Sequence, residues 1–402
     1  MVDDAEHGPR VLILTTVPGR GLGGHYYDAV TVAEALRSRC TVSLVTIGRN
    51  RSPVVESSRL PSVHVPFSGA GVPGAVSEVV RLGRDLGADV FHSFDLGACG
   101  FARIASLHCR RRHVHSKCGG PNPTGRFPRI ESLVVVSGEN RDYFAGHPAF
   151  RRSRVRLLPN RVAHQEPDRV RIEQFRREHG LPVWDGWTFL KVGRISRSYE
   201  RGIRQAIRLV HDLTSAGLPS RLVLIGVVED DDLWRAIRAE DRGNLVASSD
   251  PRYTLEASRL IDIADCVIGT GRGVMEAAAL GKVLFTELRD GPYPVRVDEG
   301  NLEELLYTNF SPRNRLSGGP PDASYLERTA GFLRGRERGR PDALALDTFR
   351  RRFDVTGVVG DYLDLYRETD RPRASPATIA DAAQGIWYVV KKSLRARMRQ
   401  PW

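Results

Sequence analysis

The chain lacks any run approaching the roughly 18 consecutive apolar residues that a bilayer-crossing helix requires, which excludes an α-helical membrane-spanning reading. Cysteine is scarce and scattered. Cys40, Cys99, Cys109, Cys118 and Cys266 are odd in number and never at CxxC spacing, which argues against a disulfide framework and a structural zinc site and for reduced thiols. The first ten residues are polar and acidic where a signal peptide is basic and then apolar, so the expected location is cytoplasmic. No short repeat recurs, which excludes a solenoid of stacked units.

What is present suits two ordinary cores. The 402 residues are 41% hydrophobic, with apolar runs alternating with charged stretches, which excludes disorder as the main state. A net charge of +12 implies attraction to something anionic, and nucleotide diphosphates, anionic headgroups and nucleic acid all qualify. Nucleic acid is disfavoured, because the basic residues are not interleaved with aromatics on one recognition element. Residues 371–402 hold seven Lys or Arg (Arg371, Arg373, Lys391, Lys392, Arg395, Arg397, Arg399) against one acid, Asp381, so half the net charge is local to the tail.

Strand-like runs at 11–17, 41–47, 63–67, 89–94, 114–117 and 133–137 alternate with helical stretches, and a second series follows at 189–195, 221–228, 245–248, 266–269 and 283–287. This alternation predicts α/β architecture: two Rossmann-like parallel sheets, facing each other across a cleft. The pattern breaks after Pro159-Asn160, and a charged helix is expected over 168–179. The expected divisions are a first Rossmann-like domain at residues 1–163, a second at 164–352, a closing helix at 353–370 directed towards the first domain, and a basic amphipathic tail at 371–402. Residues 313–341, rich in Gly, Pro and Arg, are expected to contain mobile surface loops.

Ligands of open α/β sheets bind beyond the carboxyl ends of strands, so the residues there carry the chemistry. After the first strand comes a glycine-rich loop containing Gly23, Gly24 and His25, where bare backbone amides and a helix N-terminus can meet a phosphate or sugar. No dinucleotide G-x-G-x-x-G fingerprint is expected in this loop, and no acid ends the second strand to hold a ribose in the manner of NAD enzymes, which weighs against an epimerase or NAD-dependent oxidoreductase. The second domain opens with Val192-Gly193-Arg194, and Arg201 follows; two guanidinium groups at a strand end suit a diphosphate. Next, Gly269, Thr270, Gly271, Arg272 and Gly273 form a turn into a helix expected to carry Glu276 in its first turn. Exposed amides there can hold a pyrophosphate while Glu276 accepts from ribose hydroxyls, with no metal.

The order of these elements, with Leu158-Pro159-Asn160 before the linker and Glu276-Ala277-Ala278-Ala279-Leu280-Gly281 after the turn, resembles retaining glycosyltransferases of family 4, of the GT-B fold, across residues 10 to 367. The resemblance implies transfer from a nucleoside-diphosphate sugar by front-face attack, with the leaving phosphate accepting the acceptor's proton and no enzyme nucleophile. It implies that Arg194 and a second cation bind the diphosphate and that Glu276 is the second glutamate of a paired-glutamate motif. Two positions depart from the pattern. The first glutamate falls on Ile268, where the 269–273 amides are the expected substitute; the family lysine falls on Tyr199, which leaves Arg201 as the favoured second cation. A family histidine facing the donor sugar corresponds to His115 or His92, with His115, Lys117 and Asn122 preferred. Ser137, Glu139 and Asn140 stand at the next strand end, on the acceptor side; helix capping by Ser137 is the alternative.

The tail places Ile379, Ala383, Ile386, Trp387, Val390, Leu394 and Met398 at helical spacing beside Lys391, Lys392, Arg395 and Arg399. Two readings stay open: a helix lying on an anionic inner-membrane face near a lipid-linked acceptor, or an apolar face packed back on the first domain. The expected activity is therefore glycosyl transfer to a glycan, lipid-linked or small-molecule acceptor in polysaccharide or glycoconjugate synthesis. The alternative is a non-catalytic binder of nucleotide sugar or membrane on the same fold.

Overall fold

The computed structural model describes residues 8–159, 161–181 and 184–398 and divides the chain into two compact units, Met1–Arg161 with Val355–Trp402, and Val162–Asp354. Asn160 and Arg399 lie outside the described residues, as do the side chains of Arg395, Arg397 and Met398. Each unit is built on one sheet.

The first unit has seven parallel strands: β1 (Arg10–Val17), β2 (Thr41–Gly48), β3 (Ser62–Pro66), β4 (Val90–Ser93), β5 (Arg112–Lys117), β6 (Ser132–Val135) and β7 (Arg154–Leu157), in the order β3-β2-β1-β4-β5-β6-β7. β1 is central and buried from Val11 to Val17, as a parallel strand covered on both faces must be, and its sequence is correspondingly apolar. The chain winds outward from β1 to β3 and then returns to β4, so a topological switch point lies between β1 and β4. Among the helices that follow these strands are α1 (Gly24–Leu36), α2 (Leu96–Cys109) and α3 (Gly138–Gly146). Asp95 ties the switch point together: its carboxylate accepts from Thr16 N and Thr16 Oγ1, both at 2.6 Å, and caps α2 through Gly97 N and Ala98 N.

The second unit has six strands, β8 (Trp187–Ile195), β9 (Ser220–Val228), β10 (Leu245–Ser248), β11 (Cys266–Gly269), β12 (Val283–Thr286) and the short antiparallel β13 (Val295–Arg296), in the order β10-β9-β8-β11-β12-β13. Alternate residues serve opposite faces. Phe189, Ile268 and Phe285 pack with Ile203 and Leu209 of α4 (Glu200–Ser215), whereas Leu190, Val267 and Leu284 pack with Val274 and Met275 of α5 (Arg272–Ala279). Residues 313–341 are not loop throughout. They contain α6 (Tyr325–Arg334), whose Tyr325, Ala330 and Leu333 are buried, so a helical apolar stripe outweighs the local Gly and Pro content.

The chain then returns to the first unit with α7 (Val359–Glu368) and α8 (Pro376–Met398). Of the two readings of the tail, packing is present: Ala382, Ile386, Val389 and Val390 are buried against the core that contains Phe91, Ala98 and Phe101. Glycine makes the approach to α2 possible, since a Cβ on Gly100 would lie 2.6 Å from Ala382 O and 2.8 Å from Ile386 N. Asp381, 2% exposed, locks the helix through Arg126 at 2.6 Å and Arg129 at 3.0 Å. The opposite face is outward: Trp387 and Tyr388 are 55% and 40% exposed, with Lys391 and Lys392 over their rings at 5.3 and 4.6 Å. Among the described residues no helix is long and apolar enough to cross a membrane.

Candidate functional site

In the second unit the strand ends bring together most of the residues expected to hold a donor. The β11–α5 turn depends on Gly271, whose φ of 49° and ψ of −117° admit only glycine, and on Gly269, where a Cβ would lie 2.8 Å from Val274 N. Thr270, Gly271 and Gly273 thus expose the positive end of α5. Two of its amides are already engaged, however: Gly271 N donates to Phe310 O and Gly273 N to Thr270 O. The helix begins at Arg272, so Glu276 stands at its fifth position and not in the first turn as expected; the glycine cap delays the helix start. From there it accepts from Arg272 Nη2 at 3.0 Å, both side chains being largely buried. The pair presents one acceptor and one cation on the same turn.

β8 stays paired with β9 to its end but runs past β11, and Val192, Gly193 and Arg194 are exposed. Arg194 Nη2 donates to the Tyr199 hydroxyl at 2.7 Å, its guanidinium lies 4.9 Å over the same ring, and Glu229 is 3.5 Å away. Tyr199, at the position of the expected lysine, therefore aims the arginine instead of adding a charge. Arg201 donates to the carbonyl of Arg289, and Gln205 Nε2 donates to Leu288 O and Gly291 O at 3.0 Å each. Together they fasten the loop after β12 to α4.

Ile268 is fully buried within β11, in the core beneath α4, so the residue eight positions before Glu276 belongs to the packing and not to a ligand loop. Beside it the sequence reading missed a buried ion pair. Lys191 and Glu287 are 3.9 Å apart with side chains 7% and 3% exposed, and Glu287 Oε1 has no hydrogen-bond partner among the described residues. A lysine inside the apolar run Phe189-Leu190-Lys191-Val192 was the available signal.

In the first unit Gly23 caps α1, Gly24 opens it, and the His25 ring lies 3.9 Å from that of Tyr26. Gly19, Gly21 and Gly24 have G-x-G-x-x-G spacing, yet the third glycine has open space around it where a dinucleotide fingerprint uses it for tight helix–strand packing. The residues after β2 are Arg49, Asn50 and Arg51, with no acid. A dinucleotide site is not built here.

Lys117 spends its ammonium on the loop it begins: Nζ donates to the carbonyls of Gly119 and Gly120 and, at 3.1 Å, to Asn140 Oδ1. Asn140 Nδ2 in turn donates to Asn122 Oδ1 at 2.8 Å, while Ser137 caps α3 by accepting from Asn140 N, with Glu139 in that helix's first turn. Lys117, Asn122, Ser137 and Asn140 are one network that shapes the loop at the end of β5. His115 is 1% exposed beneath it, beside Phe127, so a donor sugar cannot reach it in this conformation.

Three histidines line β4 and β5. His92 bonds Tyr366 of α7 through Nδ1 and Ser116 through Nε2, both at 2.8 Å. Ser93 Oγ lies 3.0 Å from His113 Nε2, 2.9 Å from His115 Nδ1 and 3.4 Å from Val114 O, so one hydroxyl ties both rings to β4. His113 Nδ1 is buried without a hydrogen-bond partner among the described residues. Burial pushes His92 down to about 3 and His115 to about 4, and His113 also well below its usual value.

No protein-family model matches the chain. The UDP-N-acetylglucosamine–N-acetylmuramyl-(pentapeptide) pyrophosphoryl-undecaprenol N-acetylglucosamine transferase of Desulforudis audaxviator is 27% identical over 323 residues, 74% of this chain and 82% of that protein. Anabaena HepE, solved with UDP and glucose, aligns with a TM-score of 0.58 at 14% identity over 90% of this chain and 100% of its own. A Listeria monocytogenes protein named for UDP-N-acetylglucosamine 2-epimerase activity aligns with a TM-score of 0.51 at 13% identity over 92% and 99%. The expected α/β architecture of two Rossmann-like parallel-sheet units is therefore borne out, and it is the fold of GT-B glycosyltransferases.

Proposed function

We propose that the chain is a glycosyltransferase that moves a sugar from a nucleoside-diphosphate sugar, held on its second unit, to a lipid-linked or other glycan acceptor. The observation that carries this reading is the β11–α5 turn, where a glycine-only conformation, a helix N-terminus and the Arg272–Glu276 pair stand together. The name of the D. audaxviator relative describes transfer from UDP-N-acetylglucosamine to a pyrophosphoryl-undecaprenol acceptor, which supports a UDP-sugar donor and a lipid-linked acceptor.

In this reading Arg194, oriented by Tyr199, and the dipole of α5 neutralise charge that develops on the departing diphosphate, and Glu276 accepts from ribose hydroxyls. Each well-placed donor in a desolvated site is worth about 2.7–4 kcal/mol. No metal is required for that division of labour. The ordered resemblance to family 4 supports transfer with retention, which proton NMR of the product's anomeric centre tests directly. The outward face of α8, with Trp387, Tyr388, Lys391 and Lys392, suits the interface of an anionic membrane and would hold the enzyme near its acceptor.

A thermal-shift panel of UDP-, GDP-, ADP- and TDP-sugars tests the donor site. Stabilisation by one nucleotide class, lost in Arg194→Ala and Glu276→Ala, is the expected result; no stabilisation by any of them would overturn the reading. A second reading, binding without turnover, is favoured by Ile268, a core residue where family 4 has a sugar-binding glutamate. Saturable donor binding with neither transfer nor hydrolysis across an acceptor panel would select it.

A further inference from the structure

A cavity of about 180 Å³ opens at the carboxyl ends of β1, β2 and β3, and none of the residues given a role in donor binding lines it. It is lined by Gly19 and Arg20 after β1, Arg49 and Asn50 after β2, Ser68 beyond β3, and Ser393 of α8. Two guanidinium-bearing residues, an amide and two hydroxyls converge there, and among the described residues no carboxylate lines it. Asn50 Nδ2 donates to Gly19 O at 3.4 Å and holds the two loops side by side.

Ser393 is the second, independent sign of a ligand. It is 6% exposed, and its hydroxyl has no hydrogen-bond partner among the described residues. A helical serine ordinarily bonds a carbonyl one turn back, so a buried hydroxyl left without a bond is an unfilled position. Size limits the occupant. Sites for whole small molecules run from about 300 Å³ upward, so this cavity accommodates a phosphate or diphosphate group but not a nucleotide. Guanidinium forks and hydroxyl donors are the chemistry that recognises phosphate oxygens.

We propose that this cavity binds the phosphate group of a membrane-borne ligand: the diphosphate of a lipid-linked acceptor or the phosphate of an anionic lipid headgroup. Its assignment to the acceptor rests on the glycosyltransferase reading, whereas the phosphate site does not. α8 supplies both Ser393 within the cavity and the exposed Trp387, Lys391 and Lys392 on its outward face, so the same helix joins the phosphate site to the surface that would meet lipid.

The test is isothermal titration of inorganic pyrophosphate into the full chain saturated with UDP, so that a donor diphosphate site is already filled. Saturable binding is expected, about 100-fold weaker in the Arg20→Gln/Arg49→Gln double variant and about tenfold weaker in Ser393→Ala. Thermal melts of both variants at the wild-type temperature would show that folding is kept. Absence of saturable binding, or equal affinity in all three proteins, overturns the proposal. Geranyl diphosphate and vesicles of phosphatidylcholine with phosphatidylglycerol then separate the sources. Loss of the first alone in the double variant assigns the site to a lipid-linked diphosphate, and loss of vesicle binding assigns it to a headgroup. Pyrophosphate binding that persists where UDP fails to bind would retain this site and remove the donor reading.

Discussion

Glu287 rests directly on Gly202 of α4. A Cβ at position 202 would occupy the space of its Oε2, so the carboxylate faces Lys191, 3.9 Å away, only because residue 202 is glycine.

Breaking that arrangement is expected to be costly in a specific pattern. Lys191→Met or Glu287→Leu alone leaves one buried charge without its partner and should destabilise the protein by about 3–5 kcal/mol. The double variant should recover most of that loss, because the desolvation penalty leaves with the pair. Gly202→Ala should resemble Glu287→Leu. Urea unfolding of the four proteins measures this; additive losses in the double variant would contradict it.

Restoring the family residue should harm this chain. Ile268→Glu places a carboxylate among Phe189, Ile203 and Phe285, where the neighbouring Lys191 is already matched by Glu287, and is expected to lower Tm by roughly 10 °C without raising transfer activity. Differential scanning calorimetry beside a donor-turnover assay decides it. An active, stable glutamate variant would show that β11 can be repositioned towards the ligand.

Acid should weaken the first unit through its histidines. His92, His113 and His115 are held neutral, with folded values below the unfolded value of about 6.5. As pH falls below about 6.5 the unfolded chain takes up protons first, so stability drops until the folded values near 4 and 3 are reached for His115 and His92. Each histidine contributes a slope of up to about 1.4 kcal/mol per pH unit in that window. Urea midpoints between pH 7 and 4 should follow it, and His113→Gln should flatten the curve; a pH-independent midpoint would remove the argument.

Trp387→Ser with Tyr388→Ser should leave the melting temperature within about 1 °C, because both side chains face outward, while reducing sedimentation with anionic vesicles several-fold. Gly385→Leu attacks the inward face and should do the opposite, since a side chain there meets the backbone of α2 at Gly100. A large Tm loss in the double serine variant would place those rings in the packing.

The fold was legible because its signals are local. Strand runs such as Val11 to Val17 and glycine turns such as 269–273 announce themselves by composition and period. Glu276 was misplaced by one turn because the conformation of Gly271, and not residue identity alone, decides where α5 starts. The roles of Lys117 and Arg201 were illegible for another reason. A cation near a strand end reads as a ligand group, and only the structure reveals that nearby carbonyls already accept from it. Ser393 could not be singled out at all, since its neighbours Arg20, Arg49 and Ser68 are hundreds of residues distant in sequence.

The first unit is assembled from both ends of the chain, and this governs its biosynthesis. Phe91, Ala98 and Phe101 emerge from the ribosome before the second unit, but the segment carrying Ile386 and Val389 that covers them is translated after it. The nascent sheet must wait, partly uncovered, through the synthesis and folding of the whole second unit. A stop codon between residues 354 and 376 would release a protein whose second unit is complete and whose first unit, without α8, has an apolar face open to chaperones and proteases.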